Sequence, residues 1–282
     1  MNRGVRERIW IAVLMGCTGA GCGLLLWILA MVGVLGAPAL SGSFLFSAST
    51  GDGAEGGIFF QMVGTILLVG GAGLICFPVA LGAALFQTEC LPPGKWRESF
   101  SLGLDALNAV PTVLFGLMGF LVFGVWLDTG VSWVTGVLIL AIMILPTVQT
   151  SIRRALESVP GEHRQTAAAL GLTPWRQVRA VALPHSGQGM VTGLLLGLAR
   201  AAGETAAIMF TATVFSGVHW PQSFSDPVVT LQTHVLTLAQ EAVNPRAIEH
   251  AWGAALVLLG LVMALLGGVL GIRLRLDREP RH

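Results

Sequence analysis

Six long runs with almost no charged residues limit what this chain can fold into more than any other feature of its sequence. An α-helix needs about 20 mostly apolar residues to cross the hydrocarbon core of a bilayer. Only the fifth run contains ionised side chains. The runs are Ile9–Leu35, Ile58–Phe86, Ala106–Trp126, Val131–Thr150, Gln188–Phe215 and Ala251–Ile272. We therefore predict an all-α, polytopic membrane protein with six transmembrane helices.

The composition indicates that lipid surrounds these runs. Hydrophobic residues make up 54% of the 282 residues and charged residues 11%, which is more apolar surface than a soluble domain of this size can bury. The formal net charge of +1 argues against a nucleic-acid binder, because such a domain carries a large basic surplus on one face.

The basic residues predict the orientation of the helices, because loops rich in Lys and Arg stay in the cytoplasm. Fourteen of the sixteen lie on one side of the predicted membrane: Arg3, Arg6, Arg8, Lys95, Arg97, Arg153, Arg154, Arg164, Arg176, Arg179, Arg273, Arg275, Arg278 and Arg281. The opposite loops hold Arg246 and six acids: Asp52, Glu55, Asp128, Asp226, Glu241 and Glu249. We therefore expect both termini in the cytoplasm.

These assignments divide the chain into three parts. Residues 1–57 hold a cytoplasmic segment, the first transmembrane helix and an outer loop; residues 58–273 form a core of five transmembrane helices with a cytoplasmic loop at 153–186; residues 274–282 form a cytoplasmic tail. The first run exceeds the roughly 7 to 15 apolar residues of a cleavable signal peptide, so we expect it to remain as an anchor.

The loop between the fourth and fifth runs carries the start and stop signals of two short helices. The first begins near Pro160 and ends at Gly171, since glycine is favoured just past a helix C-terminus. The second has Thr173 as its N-cap and Pro174 as its first residue, and it ends before Pro184. We predict a helix–glycine–helix elbow whose flat, alanine-rich surface fits a groove of another protein.

The fifth run contains the segment RAAGETAAIMF, in which Arg200 and Glu204 are ionised. Because they are four residues apart, we expect them on one helical face with Glu204 as the partner of Arg200. An Arg near the bilayer centre costs about 2.5 to 3.5 kcal/mol on insertion scales, so it must face the bundle interior or an aqueous cavity. Two interpretations stay open: a structural ion pair, or a charged station on a substrate path to which Thr205 adds a hydroxyl.

Two other classes of membrane protein fit these features less well. A membrane enzyme needs clustered catalytic residues, but the histidines are scattered and no HExxH or Cys/His spacing is present, so we predict no catalytic residue and no metal site. A stand-alone channel or secondary transporter has no need of the elbow. The chain also lacks a GxxxxGK[ST] loop to bind a nucleotide phosphate, so we expect no cofactor in it.

The elbow resembles the loop of the inner-membrane permeases of bacterial ABC importers. Their pattern is Glu-Ala-Ala, three residues, Gly, nine residues, Ile, one residue, Leu-Pro, and the spacing matches here throughout. In that family this segment is the coupling helix that docks on the ATPase. The resemblance assigns ATPase coupling to Gln165, Thr166, Ala167, Gly171, Val181, Leu183 and Pro184. Gln165 replaces the usual acid and loses its charge, and Thr166 replaces the first alanine.

Several further stretches resemble phosphate-specific permeases more closely than the importer superfamily as a whole. They are GGIFFQMVGT from Gly56, LNAVPTVLFGLMGF from Leu107, LPTVQTSIRRALESVP from Leu145, ARAAGETAAIMFTA from Ala199, and WGAALVL near the last helix. Sulfate and molybdate permeases usually have Gly-Glu-Phe in place of the GET triplet. Phosphate importers pair two permeases, and this chain is similar to the shorter, PstA-type one. The alternatives are the longer, PstC-type permease, or a permease for another oxyanion such as molybdate, sulfate or phosphonate.

The resemblance implies a type I ABC importer permease fold in the bacterial plasma (inner) membrane, with inorganic phosphate as the transported ion. It implies three kinds of partner. These are a second, PstC-like permease, two copies of a PstB-like ATPase subunit that binds ATP and Mg, and a PstS-like phosphate-binding protein. It also implies that Arg200, with Glu204 and Thr205 beside it, lies on the substrate pathway.

Overall fold

A computed structural model describes residues 3–50, 55–214, 220–240 and 244–276 of the chain. The predicted acids Asp52 and Glu241, the basic residues Arg278 and Arg281, and Phe215 at the end of the fifth run lie outside these ranges. The helices are α1 (Arg3–Gly36), α2 (Gly42–Phe46), α3 (Phe59–Leu85), α4 (Lys95–Ala109), α5 (Thr112–Gly119), α6 (Trp133–Glu157), α7 (Gly161–Ala169), α8 (Pro174–Gln177), α9 (Leu183–Ala202), α10 (Ala206–Thr211), α11 (Leu231–Gln240) and α12 (Pro245–Leu276). Wider π-helical turns follow α3, α5 and α8 at Phe86–Cys90, Phe120–Trp126 and Val178–Ala182, and β1 (Ser49–Thr50) pairs antiparallel with β2 (Glu55–Gly56).

Four of the six predicted spans are confirmed as continuous helices. The segments Ile9–Ala39, Phe59–Cys90, Trp133–Glu157 and Pro245–Ile272 are each long and apolar enough to cross a bilayer. They correspond to the first, second, fourth and sixth runs. The fold is therefore all-α and polytopic.

The third run is bent, which corrects the prediction of one straight helix over Ala106–Trp126. The segments Lys95–Ala109 and Thr112–Trp126 meet at 92°, and together they form a broken span or a re-entrant loop. The bend lies at Val110, which is extended because the ring of Pro111 crowds the helical conformation of the residue before it.

The fifth run is interrupted as well, so Gln188–Phe215 is not one helix. The helix α9 starts earlier than predicted, at Leu183, and ends at Ala202. After a break at Gly203–Thr205 the chain continues as the short α10. Among the described residues, α9 by itself is not one of the helices that length and hydropathy mark as spanning.

The core is built by α3, α6 and α9, and a seam of small residues brings α9 close to α6. A Cβ added to Gly193 would lie 2.5 Å from Cβ of Ser151, and one added to Gly189 would lie 2.5 Å from Cβ of Ala155. The next glycine, Gly197, packs in the same way on Val148. Because lipid gives helices little hydrophobic reason to associate, such close backbone approach is a main source of their attraction.

Away from the elbow, α11 is joined to the end of α9 by buried polar side chains. Gln232 donates from Nε2 to the carbonyl oxygen of Ala202 at 2.7 Å and accepts from the hydroxyl of Thr65 at 3.2 Å. The same Thr65 hydroxyl accepts from the backbone N–H of Leu231 at 2.9 Å. A carbonyl left without a helical partner at the break is thus satisfied by a side chain from another element.

The glycine seam predicts a position-dependent effect of adding one methyl group to α9. Gly193→Ala should lower the thermal unfolding temperature in detergent, because the methyl group overlaps Ser151 and the helices must separate, at a cost of about 1–3 kcal/mol. Gly187→Ala on the same helix meets no atom within 4 Å and should leave the temperature unchanged or raise it. Equal shifts in the two variants would contradict the seam.

The half-buried His234 of α11 predicts acid sensitivity of the region around this helix. Burial, with a smaller contribution from the nearby His250, lowers the pKa of His234 from 6.5 to about 4. Below pH 6.5 His234 of the unfolded chain binds a proton, whereas His234 of the folded chain binds one only near pH 4 and below. The free energy of unfolding should therefore fall across this window, by up to about 3 kcal/mol.

The measurement is thermal unfolding between pH 7.5 and 4.5 in detergent, compared between the wild-type chain and His234→Gln. The variant should show a weaker dependence on pH, whereas His163→Gln, at an exposed position of α7, should behave as the wild type. An unchanged slope in His234→Gln would show that other groups cause the dependence.

Candidate functional site: an arginine at a helix break and a helical elbow

Arg200 lies in the last turn of α9, half-buried, three residues before the break begins at Gly203. The rise of an α-helix places it about 25 Å along α9 from Leu183 at the start of that helix. The carbonyl groups at a helix C-terminus carry partial negative charge, which favours a cation in this turn. The end of α9 therefore helps to hold the half-buried guanidinium of Arg200.

The predicted pairing of Arg200 with Glu204 is wrong. Within the described residues Arg200 forms no ion pair with Glu204; the carboxylate oxygen Oε1 of Glu204 instead accepts from the backbone N–H of Ala207, at 3.4 Å. The i, i+4 rule applies only to a continuous helix, and α9 ends at Ala202. Thr205 is half-buried at the N-cap position of α10, on the same break.

The guanidinium is held by two neutral side chains that the sequence reasoning missed. Its Nη1 donates to Oδ1 of Asn108 at 2.6 Å and to Oγ1 of Thr147 at 3.0 Å. Both residues stand beside a proline in an apolar run, Asn108 three residues before Pro111 and Thr147 directly after Pro146. A polar side chain next to a helix-breaking proline in a membrane segment is a signal that could have found them.

The helix α4 brings Asn108 to Arg200 through polar contacts along one face. Near its start, Arg97 forms an ion pair with Glu157 of α6 at 2.8 Å. One turn later, Ser101 accepts from Nε2 of Gln87 at 2.6 Å, and Oε1 of Gln87 accepts from Nε2 of Gln149 at 2.7 Å. The partners on α6 come in reverse order along the chain, so α4 runs antiparallel to the C-terminal half of α6.

The predicted elbow is confirmed as an ordered structure. The helix α7 ends at Ala169 with Leu170 as its C-cap, and Gly171 follows with a φ of +74°. The N–H of Gly171 donates to the carbonyl of Ala168 and that of Leu172 to the carbonyl of Ala167, at 2.9 and 3.1 Å. This pair of bonds is the Schellman motif, which requires a left-handed residue at the position of Gly171.

The outer surface of the elbow is open and partly apolar. Leu170 is 76% exposed and Trp175 65% exposed. Arg164 ties α7 to the rest of the chain by an ion pair with Glu89 at 2.9 Å and a hydrogen bond to the carbonyl of Leu156 at 3.1 Å. Exposed apolar side chains on an anchored helix form a surface that suits a protein partner.

The residues assigned to coupling are distributed over this surface and the helix behind it. Gln165, Thr166, Gly171 and Pro184 are exposed, Val181 and Leu183 are half-buried, and Ala167 is buried under α7. They lie at the opposite end of α9 from Arg200, so the structure keeps the two sets of predicted site residues apart.

The second helix of the elbow does not end at Leu183 and Pro184 as predicted. Helical backbone continues from α8 through the π turn Val178–Ala182 into α9. Pro184 has no N–H to donate and its ring crowds a preceding carbonyl, and the wider turn before it makes room for the ring. One uninterrupted helical segment thus links the elbow to Arg200.

Comparisons with known proteins agree with this arrangement. The chain is 30% identical over 265 residues to "Phosphate transport system permease protein PstA 2" of Mycobacterium bovis, which covers 94% of this chain and 87% of the relative. It is 31% identical to "Phosphate transport system permease protein PstC" of Haemophilus influenzae, over 66% of each chain. Its fold is similar to a chain of the crystal structure of a bacterial alginate ABC transporter in complex with an alginate pentasaccharide-bound periplasmic protein, with a TM-score of 0.64, 14% identity, and coverage of 94% and 93%.

The family model described as "Binding-protein-dependent transport system inner membrane component" matches residues 77–276. These residues include the bent third run, the elbow, the whole of α9 and the break that follows Arg200. The match extends over more than half of the chain, and the relatives extend the similarity to most of the remainder. This chain therefore belongs to the family of binding-protein-dependent transport system inner membrane components.

Proposed function

We propose that this chain is a transmembrane permease subunit of an ATP-binding cassette importer that moves inorganic phosphate across the plasma membrane. The surroundings of Arg200 carry the proposal. Its guanidinium is half-buried between α4, α6 and the end of α9, and the side chains that accept its hydrogen bonds, Asn108 and Thr147, are both neutral. A positive charge that no carboxylate pairs with attracts an anion.

The chemistry of the site fits an oxyanion. A guanidinium presents several N–H groups in a planar fork that matches phosphate oxygens, and only its Nη1 is used by Asn108 and Thr147. Glu204 lies on the adjoining break and would accept a hydrogen bond from a protonated phosphate oxygen, with the hydroxyl of Thr205 beside it. The names of the relatives support phosphate as the anion and the PstA type as the subunit.

An importer of this type needs an ATPase, a second permease and a binding protein, and this chain supplies only one permease. We infer that a PstC-like permease completes the pathway opposite Arg200, and that a PstS-like binding protein delivers phosphate on the outer side. Two PstB-like subunits bind ATP and Mg and dock on the elbow. In this orientation both termini are cytoplasmic, as the distribution of Lys and Arg predicts.

The continuous helical segment from α8 to the end of α9 supports a direct mode of coupling. A displacement of the elbow by the ATPase moves the cytoplasmic end of the same helix that holds Arg200. A helix transmits such a displacement as a rigid element. Alternating access of the site would then follow the ATPase cycle without a separate linking element.

Removal of the charge at Arg200 tests the pathway. Arg200→Gln should lower the initial rate of radiolabelled phosphate uptake by about tenfold or more, because charge-assisted hydrogen bonds are each worth about 1.5–3 kcal/mol. Co-purification with the ATPase subunit should be unchanged. Arg154→Gln, at an exposed cytoplasmic position, is the matched control and should keep wild-type uptake. Normal uptake by an assembled Arg200→Gln importer would reduce Arg200 to a structural residue.

Gly171 tests the coupling role of the elbow. Gly171→Val should weaken co-purification with the ATPase, because a branched residue at a φ of +74° is strained by about 1–2 kcal/mol and the elbow angle must change. No atom lies within 4 Å of a Cβ at this position, so the effect would come from the backbone. Gly161→Val adds the same bulk to α7 in open space and should retain the ATPase. Undiminished co-purification of Gly171→Val would remove the coupling role.

A further inference from the structure

We propose that Asn108 contacts the transported oxyanion directly, with its amide N–H groups beside the guanidinium of Arg200. This inference rests on the proposed function, because it assigns a second ligand to the same anion site. It goes beyond Arg200, Glu204 and Thr205, since Asn108 is on α4, an element that the sequence did not mark as part of the pathway.

The contact with Arg200 fixes which way the amide of Asn108 faces. A guanidinium only donates hydrogen bonds, so the amide atom 2.6 Å from Nη1 of Arg200 must be the oxygen Oδ1. The nitrogen Nδ2 therefore points away from Arg200, and it donates to no other residue in the described part of the chain. Asn108 is exposed, so both N–H groups of Nδ2 are available to a ligand at the open side of the site.

Thr147 adds a donor in the same way. Its Oγ1 accepts from Arg200 at 3.0 Å, which leaves the hydroxyl proton of Thr147 free to be donated to a third group. Arg200, Asn108 and Thr147 together offer N–H and O–H groups around one positive charge. A tetrahedral oxyanion that loses its water shell needs several such donors, which one Arg alone does not supply.

The position of Asn108 is set by a helix. The contacts of Arg97 with Glu157 and of Ser101 with Gln87 fix α4 against its neighbours. Gln87 and Gln149 are fully buried, so their hydrogen bond is costly to break. A donor held on a braced helix loses little conformational freedom when it binds a ligand.

The decisive variant is Asn108→Asp. An aspartate keeps the size of the side chain and the oxygen that accepts from Arg200, so it anchors the guanidinium at least as well. It also removes the two N–H donors and places a negative charge at the site. If Asn108 contacts the anion, the initial rate of labelled phosphate uptake per assembled complex should fall about tenfold or more, because like charges repel. Wild-type transport by Asn108→Asp, with a carboxylate at the place where the anion is proposed to bind, would overturn the proposal.

Two further variants, Asp105→Asn and Arg200→Gln, show whether a loss of uptake in Asn108→Asp is specific to Asn108. Asp105→Asn, an exposed change one turn earlier on α4, alters charge away from Arg200 and should leave uptake unchanged. Uptake abolished in Arg200→Gln but normal in Asn108→Asp would overturn the role of Asn108 alone. Normal uptake in both variants would instead remove the proposed function of the site.

A second measurement applies if Asn108→Asp fails to assemble. Asn108→Cys is assembled first, in a chain whose Cys17, Cys22, Cys76 and Cys90 have been changed to alanine, and the thiol is then labelled. A negatively charged sulfonate thiol reagent should stop phosphate uptake. A positively charged trimethylammonium reagent of similar size should leave a higher rate of uptake than the sulfonate reagent does. Equal effects of the two reagents would overturn the proposal.

Discussion

The close contact between α6 and α9 is the constraint on which the rest of the structure depends. Glycines on α9 remove the side chains that would otherwise keep the two helices apart, and Gly197 packs on Val148. Arg200 follows Gly197 by three residues and Thr147 precedes Val148 by one, so the same packing that joins the helices also brings the guanidinium to its hydroxyl partner. A shift in the register between α6 and α9 would therefore also separate Arg200 from Thr147.

Polar groups away from water need partners, and the chain satisfies them between elements. The end of α9 has its Ala202 carbonyl bound by Gln232, and α4 reaches α3 and α6 through Ser101 and two glutamines. Only a few buried side-chain atoms of the described residues lack a partner, among them Oε1 of Gln61 and Oε1 of Gln149. Breaks in the helices are thus tolerated because neighbouring side chains replace the lost backbone bonds.

Local rules predicted the features that depend on neighbouring residues in the sequence. The apolar runs gave the continuous spans, and Gly171 gave the elbow because its left-handed backbone is a local requirement. The same rules failed where contacts between elements that are far apart in the sequence determine the structure. The end of α9 at Ala202 separates Arg200 from Glu204, and no spacing rule places Asn108 of α4 beside Arg200, since that contact spans 92 positions.

The way α4 is held also bears on how the protein enters its membrane. Arg97, Ser101 and Asn108 tie α4 to the rest of the chain, while Trp96 stays 78% exposed. A segment attached by its polar side does not partition into lipid unaided. Its anchors on α6, which include Glu157, are translated after it. We therefore expect α4 to stay at the membrane surface during biosynthesis and to take its place only after a later helix has been inserted.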